Sequence, residues 1–538
     1  LTAHQVGQSI GQAHVTAAGK RARRRCAWLS LLGSIVSFAV GAPASYANSG
    51  GAAVAWGGNL HAELGAGYRD TYEESPVPVV GLSNITAVAV GSEFTLALLS
   101  DGTVRAWGNN GHGQLGDGSA SNTWAKGTDF VTVHGLSGVK AIAAANSHAL
   151  ALLENGTVDA WGNNNYGQLG DGRGGTEKAT GESGSLPKAV AGLSNVIAIA
   201  SGGGSNFALL SNHTLMAWGE NHAGQLGIGE TGPETCINEL ATEVACSTIP
   251  RPVMSADGVL EHVAAVSAGE NAAYAVLENG RVMAWGANNM GQLGSGGELT
   301  HLNTTPEEVK TAHGEPLHGV TSVSGGAFDA LALLQTGEVV GWGAVGKGEL
   351  GSVGGPEECK AIPCLQLARG LRGLAGLQVT DLSAGEGYSL LVSGGKVYSF
   401  GLNEHGELGN ETTTNSDVPT AIAGLGSVSE VAAGNANGNG KSHALALLQS
   451  GVPAPAPVVS VEPGAGSLRL LWSFPAEEFK LDYSHWNRKG LLGRITLGQH
   501  VHNFELTGLE ATPYVILIKS YGRRHLEKLR AIQGTPLP

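Results

Sequence analysis

Apolar residues in this chain come in short runs. Each run is closed by a polar or glycine turn and answered by a second run that ends in an aromatic residue and glycine. "FTLALLSDGTVRAWG" (94–108), "HALALLENGTVDAWG" (148–162) and "DALALLQTGEVVGWG" (329–343) show the form. An apolar run of four, a turn containing glycine and a return run predict a β-hairpin, not a helix. No segment after residue 47 is apolar for long enough to cross a bilayer as a helix.

The hairpin recurs. Its return half appears seven times, with aromatic residues at Trp56, Trp107, Trp161, Trp218, Trp285, Trp342 and Phe400. The phrase after each reads "GNNGHGQLG", "GNNNYGQLG" or a near copy. The Leu-Ala-Leu half also appears seven times, but out of step. The first Trp-Gly phrase has no partner upstream, and the last Leu-Ala-Leu phrase, ending at Gly451, has none downstream. An open solenoid would need a cap at both ends. In a ring, each end supplies what the other lacks. The expectation is an all-β protein with a seven-bladed β-propeller over 48–451, residues 52–57 pairing within the blade that holds 443–449.

The pattern Leu-Ala-Leu-x-x-x-Gly-x-Val-x-x-Trp-Gly-x-Asn-x-x-Gly-Gln-Leu-Gly resembles the regulator of chromosome condensation repeat. The resemblance covers 52–451 and implies a seven-bladed propeller. It says little about function, because propellers host many activities. The repeated Trp residues are expected to fill space between blades, the glycines to allow positive φ and close approach, and the Asn and Gln to bond unpaired backbone.

Composition supports this picture. Glycine makes up 84 of 538 residues without a triplet period, and hydrophobic residues make up 42%. This excludes collagen and wholesale disorder. The net charge of −14 is uneven: residues 48–451 hold 16 basic and 38 acidic residues. So acidic a body is a poor binder of nucleic acid. Residues 1–47 carry a basic run (Lys20, Arg21, Arg23–Arg25), an apolar stretch from Cys26 to Ala42 and then small residues, as in a secretory signal peptide with an upstream leader. The expected location is therefore secreted or cell-surface, an uncleaved anchor being the alternative. Cys236 and Cys246 lie ten positions apart, and Cys359 and Cys364 five. Two local disulfides are expected in an oxidising compartment. A zinc site built from all four thiolates is the alternative, but neither pair has Cys-x-x-Cys spacing.

A Pro-rich linker at 452–458 precedes a basic, aromatic segment. In 459–538, "SLRLLW", "KLDYSHW", "GRITL", "HNFELTGL" and "PYVILIKSY" are expected as strands. With Trp472, Tyr483 and Tyr514, a candidate corner tyrosine, the segment resembles a fibronectin type III module. An immunoglobulin-like β-sandwich is the broader expectation.

No catalytic constellation stands out. "GHGQLG" (111–116) and "GKGELG" (346–351) match a dinucleotide fingerprint but belong to the repeat, with no helix after them. "GNANGNGKS" (434–442) misses the phosphate-loop spacing. No metal site and no cofactor are expected. The positions at the entry to the Leu-Ala-Leu strand vary between copies: Glu93, Phe94, His148, Asn271, Phe328, Asp329, Tyr388 and His443. In the family this entry residue is usually His, lying towards one face of the ring. The mixed polar and aromatic set is expected to form a partner-binding face, with hairpin-entry residues of no further role as the alternative. The leading function is an exported non-catalytic scaffold that binds a protein or cell-wall component. A guanine-nucleotide exchange factor for a small GTPase and a secreted glycan-active enzyme are the alternatives.

Overall fold

The computed structural model describes residues 51–452 except 68–70, 80, 121–129, 175–183, 238–241, 300–301, 353–356, 361 and 435–441. It also describes the backbone of seven strands between 459 and 534. The expected leader, and the linker beyond Val452, lie outside the described residues.

Seven antiparallel sheets form the propeller. In blade 1 the strands run outwards from the axis as Ile85–Val90, Phe94–Leu99, Val104–Gly108 and Val131–Thr132. Blades 2 to 6 repeat this order from Val139, Val196, Val263, Val320 and Val379. Blade 7 is composite. Val428–Ala433 and His443–Leu448 come from the end of the repeat region, and Ala53–Gly58 and Tyr72–Pro78 from its start. Ala53 pairs with Leu447 and Val54 with Ala446. The ring closes through the two unmatched half-repeats, as their offset predicts.

The axis is lined by the first strand of every blade. A cavity of about 50 Å³ there touches Val90, Ala144, Ser201, Ala268, Gly325, Ala384 and Ala433, one residue from each. Each first strand is a sheet edge, so its outer N–H groups need partners. The preceding blade supplies several. Ser267 Oγ accepts from Gly325 N–H (3.1 Å), Ser324 Oγ from Ala384 (3.0 Å), Ser383 Oγ from Ala433 (3.0 Å) and Asp381 Oδ2 from Val431 (2.8 Å).

Each sheet packs against a neighbour on both sides, which is why the second strands are apolar at consecutive positions. Phe94, Leu96 and Leu98 point into the seam with blade 2, whereas Ala97 joins the seam with blade 7. At six of the seven seams a Trp Nε1–H donates to a backbone carbonyl of the preceding blade. The bonds are Trp107 to Glu63 O (2.7 Å), Trp161 to Gln114 O (2.9 Å), Trp218 to Gln168 O (3.0 Å), Trp285 to Gln225 O (2.9 Å), Trp342 to Gln292 O (2.9 Å) and Trp56 to Glu407 O (2.8 Å). At the seam between blades 5 and 6 the aromatic is Phe400, and Glu349 O accepts from Ser389 Oγ instead (2.7 Å).

Two blades carry a fifth strand. Glu234–Ile237 in blade 3 and Glu357–Cys359 in blade 5 pair with the outer strands Glu243–Pro252 and Ile362–Gly370. Cys236–Cys246 and Cys359–Cys364 are disulfides that cross-link these added hairpins, with Cα–Cα distances of 5.9 and 5.8 Å.

After the linker, Val459–Gly464, Ser467–Trp472 and Asn503–Thr507 form a three-stranded sheet. Gly493–Gly498, Glu478–His485, Tyr514–Gly522 and His525–Gly534 form, in that order, a four-stranded one. The five strands expected from sequence are present, and Val459–Gly464 and His525–Gly534 add to them. The side chain of Tyr514, and with it the corner-tyrosine expectation, lies outside what is described.

Candidate functional site

The two ends of the propeller differ. At one end, second and third strands are joined by tight turns such as 100–103, 154–157 and 278–281. Gly102, Gly156 and Gly280 there take φ of 77–79° to close the hairpin. The opposite end carries the first-to-second and third-to-fourth strand connections. The latter run from 163–187 in blade 2 down to 59–71 in blade 7, so most of the length variation between repeats falls here. Both disulfide-linked hairpins lie at this end too, because Cys246 pairs with Glu220 and Cys364 with Ala344, at the ends of the third strands.

The first-to-second loops form a collar around the axis on this elaborated face. Neighbouring loops are joined through backbone: Ser92 N–H donates to Asn146 O (3.3 Å), Glu270 to Gly326 (3.4 Å), Ala327 to Gly385 (3.4 Å) and Glu386 to Gly434 (3.3 Å). Side chains add a link between blades 2 and 4. Asn146 Nδ2 donates to Glu270 Oε1 (3.0 Å), and Ser92 Oγ donates to Asn146 Oδ1 (3.2 Å). Burial pushes the Glu270 carboxyl up to about 7, and the charges of Glu220 and Glu386 push the same way. His222 bonds Glu220 at 3.0 Å, which raises the imidazole above its ordinary range. Glu93 is held below the usual carboxylate range, first by its bond to His61 and also by Asn109 Nδ2 (2.6 Å).

The variable entry residues divide sharply. Phe94, His148, Asp329, Tyr388 and His443 are buried, so the expectation that they present themselves to a partner is corrected. They open the second strand with side chains turned into the seams. His443 Nε2–H donates to Thr95 Oγ1 of blade 1 (2.8 Å), whose own hydroxyl donates back to Glu63 O of blade 7 (2.8 Å). His148 Nε2–H donates to Asn206 Oδ1 (2.8 Å), and Asn206 Nδ2 returns a bond to Gln168 O (2.9 Å). Tyr388 O–H donates to His443 O (2.9 Å). Burial holds both imidazoles neutral, His148 at about 4 and His443 at about 3. Asp329 occupies the same slot in blade 5. Its Oδ2 has no partner, and burial beside Glu349 holds its carboxyl well above the ordinary range.

The residues one position earlier behave differently, because the strand alternation turns them outwards. Glu93 and Asn271 are half-buried on the elaborated face, and Phe328 is 41% exposed there. Three of the eight expected residues therefore stay available to a partner. The position one further back was not singled out from sequence, yet it carries the collar: Ser92, Asn146, Glu270 and Glu386. Aligning the copies makes it legible, since polar residues there alternate with Gly203 and Ala327.

The axial cavity is far below the roughly 300–1,000 Å³ of small-molecule sites. A shallow apolar groove of about 480 Å³ at the rim, beside Pro316, Leu317, Leu334 and Val340, has no carboxylate in its lining.

Fold and site together define a closed propeller with one plain face and one elaborated face. Models of the regulator of chromosome condensation (RCC1) repeat match residues 85–114, 139–168, 196–225 and 263–292, and again 155–209, 212–276, 279–333 and 394–437. The chain belongs to this repeat family, and its repeats fold as a seven-bladed propeller. It is 30% identical over 379 residues to the human E3 ubiquitin-protein ligase HERC2, covering 69% of this chain but spanning only 7% of that protein's length. It is 27% identical to the bovine secretion-regulating guanine nucleotide exchange factor, covering 73% of this chain and 82% of the relative. Its fold is shared with Prp20p of Saccharomyces cerevisiae, at a TM-score of 0.61 and 23% identity, over 74% of this chain and 91% of that one.

Proposed function

We propose that this chain is a scaffold that binds a protein partner on its elaborated face. One observation carries the reading. Most of the length variation, both disulfide-linked hairpins and the exposed Phe328 fall on a single face, while the other carries the tight turns and connections between blades of 6–11 residues. Cross-linked loops lose little freedom on binding, so more of the contact energy survives as affinity. The two disulfides, with the basic–apolar–small order of residues 20–47, support a site of action outside the reducing cytoplasm. The strand orders of the two C-terminal sheets support a fibronectin type III-like sandwich as the companion module.

A second reading is guanine-nucleotide exchange on a small GTPase. It is favoured by the bovine relative, most of whose length this chain covers. Exchange is itself a docking activity, so the two readings share a face and differ in outcome. The test is to incubate the full chain with small GTPases loaded with fluorescent GDP and, separately, to map partner binding with charge-reversal variants on each face. Accelerated GDP release favours exchange. Binding without release, lost on changing Glu93 or Phe328, favours the scaffold. Binding lost only on changing the tight-turn face overturns both.

A further inference from the structure

We infer that the partner presents a basic side chain next to an apolar one, the cationic head over the collar by Glu220, Glu270 and Glu386 and the apolar group on Phe328 and Ile362 of blade 5. This rests on the reading that the elaborated face is the docking face. Phe328 and Ile362 are two of the six large apolar side chains that stand exposed among the described residues, at 41% and 39%. Both belong to the same end of the same blade. The segment Ala344–Val345 lies between their strands: Ala344 N–H donates to Phe328 O (2.9 Å) and Val345 N–H to Pro363 O (3.0 Å). The Cys359–Cys364 disulfide closes the hairpin that carries Ile362. The collar pins the loop of Phe328 on both sides, through Gly326 and Ala327. Both apolar side chains stand on fixed backbone, which needs no ordering to receive a contact.

Charge decides the occupant. The blade 4 and blade 6 loops that flank Phe328 each bring a glutamate, Glu270 and Glu386, and Glu220 adds a third carboxylate close enough to act on Glu270. The groups opposing this crowding at Glu270 are the Asn146 amide and His222, a weak and titratable cation. Among the described residues, Lys347 pairs with Glu404 (3.4 Å) and Arg369 with Glu357 (2.8 Å). At neutral pH Glu270 relieves part of the repulsion by keeping a proton. A partner's guanidinium or ammonium would displace that proton and be held by the carboxylates, whereas an acidic or phosphorylated segment would be repelled. The surrounding body, 16 basic against 38 acidic residues, steers basic partners the same way.

The test is selection of a random dodecapeptide phage library on the immobilised full chain, followed by fluorescence anisotropy with the enriched peptides. The expected peptides carry Arg or Lys beside an aromatic or aliphatic residue. Their affinity should fall about tenfold with Glu270→Gln and with Phe328→Ala, and severalfold between 50 and 300 mM salt. Circular dichroism and thermal midpoints establish that both variants fold. Peptides that bind this face but are acidic or neutral, or that ignore both substitutions, overturn the inference and leave the docking face standing. Peptides lost only on Asp101→Lys or Glu154→Lys, on the tight-turn face, overturn the docking face itself. Enrichment of no sequence also overturns the inference.

Discussion

Replacing Phe400 with Trp should stabilise the propeller. Phe400 is the single aromatic of the repeat that lacks an indole, and it sits at the seam between blades 5 and 6. Two features of that seam make room for the change. A methyl group built on the glycine that ends the Gly-Gln-Leu-Gly phrase would lie 2.7–3.0 Å from the Trp ring at the other six seams. On Gly351 it would lie 3.9 Å from Phe400. The carbonyl that an indole would reach, Glu349 O, already accepts from Ser389 Oγ, but a carbonyl has two lone pairs. The molecule uses both elsewhere: Glu63 O accepts from Thr95 and Trp107, and Gln168 O from Asn206 and Trp218. The new bond is worth about 0.5–1.5 kcal/mol net. The extra ring buries about 40 Å² of apolar surface, or about 1 kcal/mol at about 25 cal/mol per Å². The sum is a gain of about 1.5–2.5 kcal/mol, read as a higher denaturant midpoint at unchanged slope. Overpacking costs about 1–3 kcal/mol where no room exists. A lower midpoint, or an unchanged one with indole emission typical of water, would refute the reasoning that this seam is underfilled.

Three further outcomes follow from the same seams. Trp218→Phe should cost about 1–2 kcal/mol in a denaturant titration, a moderate loss because Asn206 still satisfies Gln168 O. The double variant His148→Gln, His443→Gln should flatten the acid limb of the stability–pH curve. Both imidazoles are depressed in the folded chain, so below about pH 6.5 the unfolded chain takes up protons that the native one refuses until about 4 and 3, and stability falls as pH falls through that window. An unchanged slope between pH 4 and 6.5 would contradict this. Asp329→His should restore at blades 5 and 6 the donor that His148 and His443 provide in their slots. Because the buried carboxyl is raised, its ionisation removes stability as pH rises, so the gain in thermal midpoint should be larger at pH 8 than at pH 5.

Much of the architecture is present in the order of residues. Short apolar runs closed by turns define hairpins, seven copies define the blade number, and the half-repeat offset between Trp56 and His443 implies the closed ring. These features are legible because each rests on local pattern or on counting. The paired cysteines are legible for the same reason, as ten and five residues of separation can bring two thiols together within one hairpin. What the entry residues do was decided only by tertiary structure. Phe328 and Asp329 are adjacent in sequence and equally variable, yet one ring is exposed while the neighbouring carboxyl is buried in a seam. The difference comes from strand alternation combined with burial on both sides of each sheet. A side chain that points along either face of a blade meets the next blade, and only one at the turn is released to solvent. The collar was hidden for a related reason. Asn146 and Glu270 lie 124 residues apart and meet because the ring brings blades 2 and 4 around one axis. The crowding of Glu220, Glu270 and Glu386 is likewise a property of closure: three separate repeats place carboxylates at one mouth, where burial and the charges of its two neighbours raise the Glu270 carboxyl.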